Sequence, residues 1–122
     1  MAVVLTNQGE EWACRCMAQT DADDAHFVGW GTGAGTAAKA DTGLFTEASE
    51  ARVVGTVSVQ GTGAAAKYQV VGTLTADGAK TITNAGNFEA LTGANIVVHG
   101  DHGGIALALG DRIEYTITID PQ

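Results

Sequence analysis

The sequence predicts a mainly β protein: an antiparallel β-sandwich or jelly roll of about seven to eight short strands with one short N-terminal helix. Three observations carry this. Apolar and polar residues alternate with a period of two in several segments, most clearly Ile113, Tyr115, Ile117 and Ile119 against Arg112, Glu114, Thr116 and Thr118. Glycine-centred turn phrases recur at spacings of roughly ten residues. The composition, with 17 Gly and 1 Pro among 122 residues and much Ala, Thr and Val, suits short strands joined by glycine turns better than a helix bundle. A chain of this length forms one domain, residues 1–122, and buries roughly two thirds of the surface its unfolded form exposes.

The elements follow in order. Ala2 to Leu5 is a short apolar segment. Thr6-Asn7 offers an N-cap, with Glu10 three residues after Asn7 at capping-box spacing. Trp12, Ala13, Cys16 and Met17 then form a single apolar stripe, and Glu11 and Arg15 pair at i, i+4 on the other side. A helix of two to three turns is predicted here, ending before the acidic run Asp21 to Asp24. His26 to Trp30 reads as a strand that runs into the glycine loop Gly31 to Gly35. Thr36 to Glu50 reads as a loop with a turn of helix pinned by Leu44.

Ala51 to Gln60 and Lys67 to Ala76 both alternate and are predicted to form a long antiparallel pair. Gly55 and Gly72 inside it suggest bulges or close approach of another chain element. Asp77-Gly78 is a turn signal, Lys80 to Asn84 is a strand with Ile82 inward, and Asn84 to Asn87 reads as a turn. Phe88 and Leu91 are apolar, Asn95 to His99 is a strand, and Gly100 to Gly104 is a loop. The last stretch, Gly104 to Asp120, reads as a hairpin about a Gly110-Asp111 turn, with Pro121 ending the ladder.

Charge narrows the function classes. The formal net charge is −8, from 14 acidic against 6 basic residues, and such a surface repels phosphate, so nucleic acid and anionic membranes are not expected partners. No run of eighteen apolar residues occurs, and MAVVLTNQGEEW lacks the basic and long apolar regions of a signal peptide, so synthesis in the cytoplasm is expected. Cys14 and Cys16 sit two apart, a spacing that does not close a disulfide easily, and they are read as buried free thiols.

No segment carries strong catalytic chemistry. Gly33-Ala34-Gly35-Thr36-Ala37-Ala38 loosely matches a dinucleotide fingerprint after a strand, but no long helix or βαβ alternation follows. His99, Asp101 and His102 fall within four residues and could bind a divalent metal or form an acid–base pair; in a glycine-rich loop such residues are more often a solvated connection. Asp21, Asp23 and Asp24 resemble half of a calcium loop without its completion. Serine elbow, P-loop and HExxH motifs are missing from the sequence. No catalytic residue, metal or cofactor is therefore assigned.

One resemblance covers nearly the whole chain. Leu5-Thr-Asn-Gln-Gly-Glu10 before a helix, Val28-Gly-Trp-Gly-Thr-Gly33, the segment AAKADTGL from Ala37 to Leu44, and Glu50-Ala-Arg-Val53 come first. Gly72-Thr-Leu-Thr-Ala76, Ile82-Thr-Asn-Ala-Gly-Asn-Phe88 and the closing Gly110 to Ile119 follow. In that order they resemble small structural proteins of tailed bacteriophages, most of all the capsid decoration, or cement, proteins. The resemblance implies a non-enzymatic virion component, made in the host cytoplasm and placed on the capsid surface. Its partner would be the major capsid protein, whose subunits it bridges, and it would be a homo-oligomer, a trimer or dimer. The N-terminal segment and the loop from Gly29 to Phe45 are the expected capsid-facing parts, since long irregular loops usually carry function. Trp30, Gly31, Thr32, Gly33, Gly35, Asp41, Leu44 and Phe45 are the candidate interface residues. Similar phrases occur in phage tail and fibre proteins, so the alternative is a module that binds a host surface ligand, with Trp30 as the candidate aromatic contact for a sugar.

Overall fold

The computed structural model describes residues 3–17, 26–63, 67–93 and 95–119, leaving aside the side chains of residues 12 and 14–17. Its elements are β1 (Val3–Leu5), α1 (Asn7–Met17), β2 (Phe27–Gly31), β3 (Val53–Val54), β4 (Thr56–Gln60), β5 (Lys67–Thr75), β6 (Lys80–Phe88), β7 (Ile96–Leu107) and β8 (Arg112–Ile119). The eight strands form two antiparallel sheets, one of five strands in the order β1-β7-β6-β2-β3 and one of three in the order β4-β5-β8. The predicted fold class is the one observed.

The core lies between the sheets. Val28 and Trp30 from β2 and Ile82 and Ala85 from β6 meet Val70 and Leu74 from β5, with Ala76 just beyond, all of them buried. Each large aliphatic or aromatic side chain so enclosed contributes about 1.5–3 kcal/mol. A second cluster, of Val97 and Val98 with Leu5, Ala13, Ile117 and Ile119, ties β1 and α1 to the same body.

The predicted pairing of Ala51 to Gln60 with Lys67 to Ala76 holds for β4 and β5, from Thr56 against Val71 to Gln60 against Lys67. Its beginning does not belong to that pair: β3 joins β2 in the larger sheet, with Val53 against Val28. The chain changes sheet at Gly55, whose N–H donates to the His26 carbonyl at 2.7 Å and where a side chain would collide with Val70. Gly72 marks the closest approach of the layers, since a Cβ there would stand 2.8 Å from Val28 Cγ2. Both glycines thus mark close approaches, as their place in the alternation suggested.

Three local readings are corrected. The segment 104–120 is not a hairpin: β7 pairs with β6, and β8 pairs with β5, so the Gly110-Asp111 turn carries the chain from one sheet to the other. The turn is bonded to the end of β5, with Ala76 N–H donating to the Asp111 carbonyl (2.7 Å) and Gly110 N–H to the Ala76 carbonyl (2.9 Å). Alternation reveals which face a residue occupies, not which strand lies beside it. The Asn84 to Asn87 stretch is buried strand within β6, and Gly100 to Gly104 is strand within β7, paired across to β6. Glycine with asparagine in the first place and with aspartate in the second mimics turn composition, and the β6–β7 ladder absorbs them with register shifts between Ile82 and Asn84 and between Asn87 and Phe88.

Of the Thr6-Asn7 pair that offered an N-cap, Thr6 is the cap of helix α1. Thr6, wholly buried, accepts the Gly9 N–H at 3.0 Å on its hydroxyl, which also donates to the Ile96 carbonyl at 2.6 Å. Glu10 reaches Lys39 at 2.7 Å instead of closing a capping box. The acidic run Asp21 to Asp24, the side chains of Cys14 and Cys16, the Glu11–Arg15 pair and Pro121 lie outside the described residues.

Candidate functional site

The chain between β2 and β3, residues 32–52, has no helix or strand of its own; the predicted turn of helix is not formed. It lies on the outer face of the five-stranded sheet. Along β7, the His102 side chain meets Tyr115 of β8, whereas the side chains of His99 and Asp101 bond to this segment.

Its two arms first bond to each other. Thr32 N–H donates to the Thr46 carbonyl (2.9 Å), Gly33 N–H to the Phe45 carbonyl (2.8 Å) and Ala48 N–H to the Trp30 carbonyl (3.0 Å), around a bridge between Gly31 and Glu47. Thr46 has φ 51°, a left-handed conformation that costs a β-branched residue energy and that the surrounding bonds hold in place.

Side chains of the sheet then pin the segment down. The Asn84 amide is wholly buried and acts as a strand would, accepting the Phe45 N–H on Oδ1 at 3.0 Å and donating from Nδ2 to the Phe45 carbonyl at 3.1 Å. Those two bonds fix which end of the amide is oxygen, and His99 Nε2 lies 3.0 Å from that oxygen. His99 Nδ1 lies 2.7 Å from Asp41 Oδ2, an oxygen that also accepts the Ala38 N–H at 2.7 Å. Both nitrogens of this fully buried ring therefore face acceptors. The Phe45 ring meets it edge-on at 4.6 Å. Asp101 accepts the Ala37 N–H at 2.8 Å, Thr83 donates to the Gly33 carbonyl, and the Lys39 carbonyl accepts the Asn7 N–H at 2.9 Å.

Two charged residues secure the far end. Arg52 is buried; its guanidinium takes Glu47 in a two-pronged pair at 2.8 and 3.0 Å, donates to the Ala90 and Gly93 carbonyls at 2.9 and 2.8 Å, and lies 3.4 Å from the centre of the Phe88 ring. Glu50 accepts the Trp30 indole N–H at 2.9 Å and the Asp77 N–H at 2.9 Å and pairs with Lys80, which also holds Asp77 at 2.8 Å. Burial by itself would raise the Glu50 pKa. The bonds from Lys80, the Asp77 amide and Trp30 outweigh it and hold the carboxyl at about 2, while Asp77 and Glu50 together raise Lys80.

A folded-state value below the ordinary 4.5 means that Glu50 adds stability above that pH, and that this contribution drains away as pH falls from 4.5 toward 2. After allowance for solvent at the rim of the cluster, Glu50→Gln should cost about 1–2 kcal/mol at neutral pH. Urea unfolding at a series of pH values should show the variant losing less stability than the parent across that window; parallel curves would contradict the assignment.

The candidate interface residues fall into place around this scaffold. Trp30 and Gly31 are buried; Thr32, Gly33, Asp41, Leu44 and Phe45 are half-buried; Gly35 is exposed. The structure brings Gly31, Gly33, Asp41 and Phe45 together at Asn84 and His99, but as supports of the segment, and its outward surface comes from neighbours such as Ala34, Thr36, Ala38 and Thr42. Trp30, 1% exposed and bonded to Glu50, is not available as a sugar platform.

The His99, Asp101 and His102 string is divided by the strand. His102 lies on the opposite face from the other two, where its Nδ1 donates to the Gly103 carbonyl (2.8 Å) and its Nε2 accepts the Tyr115 hydroxyl (3.0 Å). Burial pushes the Tyr115 phenol up to about 12. Among the described residues no three His, Cys, Asp or Glu side chains converge to hold a metal ion, and no helix is long and apolar enough to cross a membrane. The residues that sequence reasoning missed are Asn84, Arg52 and Glu50. Asn84 carried a turn signal, Arg52 sat in an alternating strand, and nothing local to Glu50 announces an indole partner twenty residues away.

Comparison of the chain with protein-family models, with curated proteins and with solved structures gave no match.

Proposed function

We propose that the protein is a non-enzymatic virion structural protein that decorates and stabilises a phage capsid by bridging major capsid protein subunits. The observation that carries this reading is the pre-organised 32–52 segment: irregular backbone held on a sheet face by buried side chains, presenting outward mostly small residues such as Ala34, Thr36, Ala38 and Thr42, with Lys39 and Glu47 among them. A docking element that is already ordered loses little conformational freedom on binding, so each copy can bind through modest contacts. Many copies on one shell then act together. The whole-chain resemblance of its motifs to decoration proteins points the same way, and the charge of −8 suits an outer surface that does not compete for the genome.

The polar groups that could do chemistry support this assignment by what they are bonded to. Asp41, Glu47, Glu50, Arg52, His99 and His102 each hold backbone or another side chain, in arrangements that support the fold. The segment's own contribution is open to test without dismantling it. Deleting Gly31 to Ala38 would remove the β2 end and the buried Ala37, so exposed positions are the ones to change. Thr36→Arg combined with Thr42→Arg should leave thermal unfolding unchanged and lower co-sedimentation with undecorated shells of the encoding phage by at least about tenfold. Undiminished co-sedimentation would remove this segment from the interface, and no binding by the parent protein would remove the capsid reading.

A further inference from the structure

Sheet β4-β5-β8 has three strands, and β8 forms one of its edges. That edge is long and straight. Eight residues, Arg112 to Ile119, pair with β5 from Thr75 to Tyr68 without a register shift, and among the described residues no strand pairs with their other side. Folded proteins usually blunt such an edge with a bulge, a proline, charged side chains or short length; β8 has neither bulge nor proline, and its two charges, Arg112 and Glu114, both stand in its first three residues. The other edges among the described residues are shorter: β1 has three residues, β3 two and β4 five.

The inner face of β8 is also incompletely covered. Ile113, Tyr115, Ile117 and Ile119 are all half-buried, whereas Val70 and Leu74 of the neighbouring β5 are 0% and 1% exposed. Beside this row, Val3, Val98, His102, Tyr115 and Ile117 line an opening of about 250 Å³ between the sheets.

We infer that β8 is a self-association edge, pairing antiparallel with β8 of a second copy about a two-fold axis to give a continuous six-stranded sheet. Charge selects the occupant. Two copies each carrying −8 repel over most of their surfaces, but β8 holds one Arg112 and one Glu114 and is neutral. In an antiparallel pair centred on Tyr115, Glu114 lies opposite Thr116 of the second copy and Arg112 opposite its Thr118, so no like charges face each other. The same pairing sets Ile113 beside Ile117 of the second copy, which extends the cover over the half-buried inner row. An isologous edge of this kind closes on itself, leaving a dimer and not a fibre. The inference is independent of the capsid reading.

Sedimentation equilibrium of the full chain at about 100 µM, where even a weak dimer is populated, should give twice the 12.4 kDa chain mass. Thr116→Glu changes an exposed residue and places acid opposite Glu114 in both symmetry-related positions; the dissociation constant should rise at least about tenfold while the thermal unfolding of the dilute protein stays the same. Amide exchange should slow in β8 as concentration rises. A monomer at that concentration, a dissociation constant unmoved by Thr116→Glu, or concentration-dependent protection in β4 in place of β8 would each overturn the inference.

Discussion

Replacing Arg52 with methionine is expected to lower the unfolding free energy by about 3 kcal/mol. Methionine restores much of the apolar contact with Phe88, so the loss isolates the guanidinium. What disappears is a group that serves four acceptors at once: both Glu47 oxygens and the carbonyls of Ala90 and Gly93. The two carbonyls belong to the β6–β7 connection and Glu47 to the segment over the sheet, so one side chain holds two otherwise independent loops. Arg52→Lys should recover less than half of the loss, because an ammonium cannot span a carboxylate and two carbonyls in one plane. Chemical denaturation of the three proteins checks this, and full recovery by lysine would show that charge alone matters.

Asn84→Leu comes next, with an expected cost of about 2–4 kcal/mol. Leucine keeps the branched shape and heavy-atom count, though its methyl groups are bulkier, so most of the loss comes from polar groups stranded by the change. The Phe45 N–H and carbonyl and the His99 Nε2 all lose their partner in a site closed to water. The loss should also be local. Amide exchange at Phe45 and Ala38 should accelerate well before the β5 and β6 core exchanges, because the 32–52 segment is released while the sandwich persists. Uniform acceleration across the sheets would mean that Asn84 supports the core and not the segment.

Most of the architecture was legible from alternation and glycine spacing. The β4–β5 pair, the inward Ile82, the β8 alternation and the short helix all follow from local periodicity, which determines which face each residue occupies. Partnership was not legible. Nothing in residues 104–120 distinguishes a hairpin from a sheet-to-sheet crossing; the bonds from Ala76 to the Gly110-Asp111 turn decide it, and they lie more than thirty residues away in sequence. Asn84 and Asn87 show the same limit in chemical form. An asparagine amide bonds backbone equally well in a turn or across a sheet, and only the fold reveals which backbone it meets. The 32–52 segment can be recognised from sequence as long and irregular, but its rigidity depends on Asn84, His99 and Asp101, which lie in strands whose composition reads as turns and loops.

The proposal that the protein decorates a capsid and docks through the 32–52 segment is open to a cryo-electron microscopy difference map of undecorated shells of the encoding phage mixed with the purified protein. Added density is expected on the outer surface, over joints between capsid subunits, with Ala34 to Thr42 facing the shell. Density confined to tails, or shells indistinguishable from those without the protein, would contradict it.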